Sequence, residues 1–110
     1  MAARSRKASP DDLNPGITRT VLCYGERMMM VELKLARGTR LKERAHPEEE
    51  VCYLVRGTAF VRVRDRSIAL TAGESVLIPA DTAHAGEALT DCTLVVTYSP
   101  PRPELLGEDA

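Results

Sequence analysis

Short stretches in which apolar and polar residues alternate recur through the middle of this chain, each closed by a turn-forming residue. In residues 28–35 every second side chain is apolar, at Met29, Val31, Leu33 and Leu35. Successive side chains of a β-strand point to opposite faces, so this spacing predicts a strand with one buried face. No long window of the sequence has the spacing of an amphipathic helix.

Further strands are predicted at residues 51–55, 60–64, 68–70, 76–78 and 94–98. Turns are predicted at Gly25, Gly38, Gly57, Asp65-Arg66 and Gly73. Many short strands with a turn about every 8–12 residues are typical of an all-β sandwich or barrel. Cys52 and Tyr53 fall on opposite faces of one strand, so only one of them can face the interior.

Composition excludes several classes of function. The 110 residues fit one domain, 44% of them are apolar, and the formal net charge is −1 with both signs interspersed. This balance favours neither nucleic-acid nor membrane binding, and no apolar run approaches the roughly 20 residues that span a bilayer. The N-terminus lacks the apolar stretch of a signal peptide, so we expect a cytoplasmic protein. We expect the three cysteines to be reduced, partly buried thiols, since their spacing fits no metal motif.

The two ends of the chain are expected to differ from its middle. Residues 1–16 should form a flexible N-terminal segment, because residues 9–16 are crowded with turn formers and offer little to bury. The folded domain is predicted to span residues 17–102. Three prolines follow from Pro100 onward, so residues 103–110 are predicted to be a C-terminal tail, which Leu105 and Leu106 would hold to the domain.

The only two histidines, His46 and His84, lie in two short segments marked by glycine and proline. Glu50 follows His46 by four residues and directly precedes the strand at 51–55, which places it at a barrel wall. Glu48 and Glu49 are alternative carboxylates in the same acidic run. Two imidazoles and one carboxylate inside a barrel would form a divalent-metal site with open coordination positions.

The spacing of these segments resembles that of the cupin superfamily, whose motifs read G-x5-H-x-H-x3-E-x6-G and G-x5-P-x-G-x2-H-x3-N. The first motif falls on Gly38, Arg44, His46, Glu50 and Gly57. The second falls on Gly73, Pro79, Asp81, His84 and Ala88. The departures are Arg44, Asp81 and Ala88. The resemblance implies a small single-domain cupin β-barrel, a jelly roll or double-stranded β-helix, with His46, Glu50 and His84 as metal ligands.

A narrower resemblance is to the small cupins of pectin and alginate breakdown, which convert unsaturated uronate monomers to their open-chain keto form. It rests on the run at residues 28–32 ahead of Gly38 and on the end at residues 97–102. Those enzymes use a metal and, near the C-terminus, an Asp, an aromatic residue and an Arg. The aromatic position falls on Tyr98 and the Arg position on Arg102, which implies that both belong to the active site. The Asp position falls on Val96, so this chain lacks that acid.

Arg44 stands where the first motif has its first imidazole, and a guanidinium cannot ligate a metal because it only donates hydrogen bonds. In an extended segment Arg44 and His46 point to the same side. At ~4 Å and an effective dielectric near 20, a divalent ion would repel the guanidinium by roughly 8 kcal/mol. Two arrangements avoid this repulsion. Arg44 turns toward solvent or a substrate carboxylate, which its fork matches, or it pairs with Glu50 and fills the space of a metal.

Two hypotheses for function follow. In the first, a divalent transition metal (Fe, Mn, Ni or Zn) polarises a carbonyl or hydroxyl of a small carboxylate or sugar acid. Arg44 or Arg102 would grip the carboxylate and Tyr98 would shape the pocket, with Tyr98 or Glu48 as general base. The reaction is isomerisation or ring-opening, or else metal-dependent dioxygenation, which the two-His, one-carboxylate set also serves.

In the second hypothesis, the barrel is a metal-free module that binds a small anionic ligand, with Arg44 paired to Glu50. For either function we expect a homodimer, the commonest closed assembly of identical chains. The apolar run at residues 28–30 is the predicted sheet edge or interface.

Overall fold

The computed structural model describes residues 9–10 and 15–106, and within these ranges the chain forms ten β-strands and one 3₁₀ helix. The first five strands are β1 (Ser9–Pro10), β2 (Ile17–Tyr24), β3 (Met29–Leu35), β4 (Arg40–Arg44) and β5 (Glu49–Arg56). The second five are β6 (Thr58–Val63), β7 (Arg66–Thr71), β8 (Ser75–Ile78), β9 (His84–Ala88) and β10 (Cys92–Ser99). The 3₁₀ helix, Pro103–Leu105, follows β10.

The strands form two antiparallel sheets that enclose the core. The larger sheet has the order β1-β2-β3-β10-β5-β8 and the smaller the order β4-β9-β6-β7. The last strand, β10, lies between β3 and β5, so spatial neighbours are far apart in sequence, as in a jelly roll. The predicted all-β jelly-roll fold is therefore confirmed. Within the described ranges, no helix is long and apolar enough to cross a membrane.

All six predicted strands are present, and their ends differ from the predicted ones by no more than two residues. No range was predicted for the other four strands, β1, β2, β4 and β9. The alternation in β2 is interrupted by a bulge between Val21 and Cys23. In β4 only Leu41 packs against the core, because the strand lies at a sheet edge and is otherwise charged. Strand pairing therefore forms these elements where the local pattern is weak.

The core lies between the sheets and is built from alternate residues of each strand. In β3 the predicted inward set is buried, at Met29, Val31, Leu33 and Leu35. The prediction of a sheet edge at residues 28–30 is wrong, because β3 pairs with β2 on one side and with β10 on the other. Met28 and Met30 are exposed, so they remain available to an interface.

The ends of the described chain are attached to the barrel. Ser9 and Pro10 pair with Arg19 and Thr18 at the edge of the larger sheet, and Leu105 and Leu106 pack half-buried against the core. The predicted flexible segment falls partly on residues 1–8 and 11–14, and the predicted tail partly on residues 107–110, all outside the described residues. Those two boundaries stay predictions.

The tight turn between β5 and β6 depends on Gly57, which has a φ of +99°, a region that residues with a side chain rarely adopt. A Cβ there would lie 2.9 Å from Cys92 Sγ and would overlap the backbone oxygen of Asp91. Gly57→Ala is therefore expected to lower the free energy of unfolding by about 3–5 kcal/mol, since strained φ and steric overlap add.

The matched control is Gly73→Ala, because Gly73 has a similar φ of +92° and no atom within 4 Å of an added Cβ. It isolates the backbone strain and should lower the free energy of unfolding by only about 1–2 kcal/mol. Urea unfolding of both variants measures the difference. Equal losses would show that the close approach at Gly57 does not matter.

Candidate metal centre

His46 enters the barrel from the loop between β4 and β5. A hydrogen bond orients its ring, because Nδ1 lies 2.9 Å from the backbone oxygen of Glu48 and donates its hydrogen to it. The free nitrogen, Nε2, therefore faces the interior. The backbone oxygen of His46 also accepts a hydrogen bond of 2.8 Å from the N–H of Asp81, which joins the two histidine-bearing loops. Asp81 sits at a motif glycine position and adopts a φ of +56°, which Asp tolerates better than most residues.

His84 begins β9 on the opposite sheet and is held in the same way. Its Nδ1 lies 2.9 Å from the backbone oxygen of Thr82 and donates to it. The two histidine rings are 5.0 Å apart between centroids and nearly perpendicular. His84 Nε2 is buried and has no hydrogen-bond partner, although it faces the carboxylate of Glu50 at 3.5 Å.

Glu50 lies on β5 between the two rings. Its Oε1 is 3.0 Å from His46 Nε2, and its Oε2 accepts a hydrogen bond of 2.9 Å from the thiol of Cys52. Burial would raise the pKa of this carboxyl, but the close approach of the His46 and His84 imidazoles and the hydrogen bond from Cys52 outweigh it and hold the pKa well below its usual range. The side chain is therefore a carboxylate.

The ligand atoms of His46, Glu50 and His84 all lie within 4.8 Å of one another, and all three side chains are buried. A neutral imidazole that donates from Nδ1 presents only a lone pair at Nε2. His46 Nε2 and Glu50 Oε1 would then be two acceptors 3.0 Å apart, an arrangement that a proton or a metal ion between them satisfies. The unpartnered Nε2 of His84 adds a third donor atom, so the set fits a divalent transition metal.

Arg44 is the last residue of β4 and is paired in register with His84. Its guanidinium Nε is buried and has no hydrogen-bond partner. Together with Glu50, Cys52 and His84 it lines an interior cavity of about 30 Å³. Across residues 15–106 there is no ion pair between Arg44 and Glu50. The structure therefore does not contain the arrangement in which Arg44 pairs with Glu50 and fills the space of a metal.

Tyr98 lies next to the ring of His46, and Arg102 lies over the ring of Tyr98. Tyr98 is buried, pairs in register with Glu50, and sets its ring 5.7 Å from that of His46. Burial and the charge of Glu50 raise the pKa of Tyr98 to about 12, so the phenol stays protonated at neutral pH. The guanidinium carbon of Arg102 lies 5.0 Å from the centre of the Tyr98 ring, and its Nε is 3.1 Å from Glu104 Oε2.

Cys52 and Glu48 lie next to the site, and their contacts were not predicted from the sequence. Cys52, rather than Tyr53, faces the interior, and burial, reinforced by the charge of Glu50, raises the pKa of its thiol well above the usual range. Glu48 is buried, with one carboxylate oxygen that has no hydrogen-bond partner and lies 3.5 Å from His46 Nδ1. The alternation that starts at Glu50 pointed to Cys52, whereas no sequence signal separates Glu48 from exposed Glu49. Val96, at the position of the missing acid, is buried opposite Cys52.

Comparison with known proteins gives consistent matches. The family model Cupin_2, a cupin domain, matches residues 31–98. An uncharacterized protein of Streptomyces coelicolor is 33% identical over 78 residues, which are 69% of this chain and 74% of the relative. The structure of KdgF from Halomonas sp. is similar with a TM-score of 0.84 and 26% identity, covering 92% of each chain. An RmlC-like cupin from Shewanella frigidimarina has a TM-score of 0.83 and 28% identity, covering 90% of this chain and 89% of that one.

The position of Arg44 generates a prediction about metal affinity. Arg44→His is expected to raise the affinity for Zn²⁺ by about tenfold or more, because it removes a repelling charge and adds an imidazole next to His84. Titration calorimetry measures the change. Arg44→Gln removes the charge without adding a ligand, so it separates the two contributions. Unchanged affinity in Arg44→His would mean that the side chain already points away from the ion.

Proposed function

This chain belongs to the cupin family, and we propose that it is a metal-dependent enzyme that isomerises a small sugar acid by opening its ring. The observation that carries the proposal is the convergence of His46, Glu50 and His84 on one buried point. The resemblance to the uronate ring-opening cupins supplies the substrate class. A pocket that pairs a metal site with a nearby guanidinium suits a substrate with a carboxylate and a reactive oxygen.

In this proposal His46, Glu50 and His84 hold a divalent Fe, Mn, Ni or Zn ion, a choice that the two imidazoles favour over Ca²⁺ or Mg²⁺. When bound, the ion acts as a Lewis acid on a carbonyl or hydroxyl oxygen of the substrate. The remaining work falls to the protein, which binds the carboxylate, orients the ring and moves a proton.

Arg44 is the proposed clamp for the substrate carboxylate. Its buried Nε lacks a hydrogen-bond partner, and Arg44 lines a cavity together with the proposed ligands Glu50 and His84. A buried donor of this kind gains most from an anionic partner. Arg102 is already engaged by Glu104 and by the ring of Tyr98. We therefore assign Arg102 to the wall of the site and Arg44 to substrate binding.

Ring-opening of an unsaturated uronate breaks the hemiacetal carbon–oxygen bond and moves one proton from a hydroxyl oxygen to a carbon of the double bond. Substrate and product contain the same atoms, so no co-reactant is needed. Val96 cannot transfer a proton. The phenol of Tyr98, which is held protonated, is the proposed donor. The proposed acceptor is the carboxylate of Glu48, whose Oε1 has no hydrogen bond and lies 3.5 Å from His46 Nδ1 and 3.9 Å from Arg102 Nε.

We also propose that the protein is a homodimer formed through the outer face of the larger sheet. Exposed apolar side chains cover neighbouring strands of this face, at Met30, Val51, Tyr53, Val55 and Leu77. Val51 pairs with Leu77 across β5 and β8, and Thr97 lies between Val51 and Met30, so the patch is continuous. Apolar patches beyond a few hundred Å² are uncommon on monomers, and a stable interface buries about 800 Å² on each partner.

The test of the enzyme hypothesis is metal analysis combined with an activity assay on untagged protein. We expect metal bound near one ion per chain, and turnover of an unsaturated uronate monomer followed by the loss of its conjugated-alkene absorbance. A chelator should abolish turnover and added Mn²⁺, Fe²⁺, Ni²⁺ or Zn²⁺ should restore it. His84→Ala should lose both metal and turnover, whereas the remote variant Phe60→Ala should keep both.

Other outcomes would favour other functions. Oxygen consumption with a small carboxylate, in the absence of uronate turnover, would favour a dioxygenase. Protein that takes up none of the four metals and still binds a small anion would contradict the enzyme hypothesis and favour a metal-free binding module.

The dimer hypothesis predicts the effect of one charge on the outer face of the larger sheet. Tyr53→Asp should convert the protein to a monomer, because a dimer would bury the new carboxylate without a partner. Light scattering after size-exclusion chromatography measures the mass. Phe60→Asp is the matched control, since Phe60 has the same exposed fraction of 43% but belongs to the smaller sheet. A dimer that survives Tyr53→Asp would contradict this placement.

A further inference from the structure

Cys52 makes a contact with the candidate metal centre that the proposed mechanism does not use. It lies two residues after Glu50 on β5, with its side chain on the same face, and it is only 7% exposed. Its sulfur is a free thiol 2.9 Å from Glu50 Oε2. A buried thiol this close to a carboxylate oxygen donates its hydrogen to it.

The contact divides the two oxygens of Glu50 between different partners. Oε1 faces both imidazoles, at 3.0 Å from His46 Nε2 and 3.5 Å from His84 Nε2. Oε2 faces the thiol instead. The terminal torsion of a glutamate has a broad energy minimum, so without a second contact the carboxylate plane would turn easily. The thiol fixes that plane with one oxygen presented to the histidines.

Cys52 is not one of the side chains whose ligand atoms lie within 4.8 Å of one another. The sulfur therefore lies on the Oε2 side of the carboxylate and not among the atoms that would surround a metal ion. Partners in this position orient ligands, and their loss commonly weakens metal binding by about 10–100-fold.

We propose that Cys52 is a positioning residue that fixes Glu50 as a one-oxygen metal ligand by donating a hydrogen bond to Oε2. The inference rests on the proposed function, because it presumes that His46, Glu50 and His84 bind a metal. It adds a residue that acts through Glu50 and is not itself a ligand of the ion.

The experiment compares three single variants by titration with Zn²⁺. Cys52→Val replaces the sulfur by a methyl group, adds a second methyl group and removes the donor, so its affinity should fall by about 10–100-fold. Cys52→Ser keeps a donor on the same bond and should bind much more tightly than Cys52→Val. Cys92→Val is the matched control, since Cys92 is also a buried thiol but donates to the backbone oxygen of Thr58, away from the site. Its affinity should equal that of the wild type.

Three results would overturn the inference. Wild-type affinity in Cys52→Val would show that the contact does not matter, and equal loss in Cys52→Ser and Cys52→Val would show that packing alone is responsible. A sulfur-to-metal charge-transfer band in the Co²⁺-loaded wild-type protein would show that Cys52 is a direct ligand, and this measurement does not depend on how well the variants fold. Wild-type protein that binds no metal would instead remove the proposed function, which separates the two failures.

Discussion

The backbone oxygens of Glu48 and Thr82 orient the two histidine rings inside this barrel. Each accepts a hydrogen bond from the Nδ1 of a histidine two residues away, so each ring is held in one orientation. Both Nε2 atoms are thereby directed at Glu50, and the tautomer that leaves them as lone pairs is the one that ligates metals. Because these acceptors belong to the main chain, the histidine geometry depends on the path of two loops, which the hydrogen bond between Asp81 and His46 joins.

Two departures from the family pattern, Arg44 and Val96, both make the cavity more positive. Arg44 replaces a neutral imidazole with a cation, and Val96 replaces an anionic carboxylate with an apolar side chain. Each change makes the interior more positive by one unit, while Glu50 stays a carboxylate. A cavity altered in this way attracts an anion more strongly, and the acid–base chemistry that we propose would have to use other groups. Tyr98 and Glu48 are the available groups next to the histidines.

The sequence was most informative where side-chain alternation and fixed spacing coincide. The alternation from Met29 to Leu35 predicted a buried strand face correctly, and the spacing of His46, Glu50 and His84 predicted three side chains that the fold brings together. The bounds of the strands that carry Arg44 and His84 were not predicted, because β4 is charged and β9 is rich in small residues. Their structure depends on pairing with distant strands, which no local pattern reports. The orientation of Arg44 depends on tertiary packing for the same reason.

The charged sequence of β4 has a consequence for the protein in a crowded cell. This strand ends the smaller sheet, and a free strand edge invites hydrogen bonding by the backbone of another molecule. Arg40 and Glu43 are exposed on this edge strand, where they pair with Glu87 and Arg62. An added strand would therefore lie beside ionised groups and would displace their water. The charged residues that remove the alternating hydrophobic pattern from β4 therefore also disfavour the addition of a strand from another molecule at this edge.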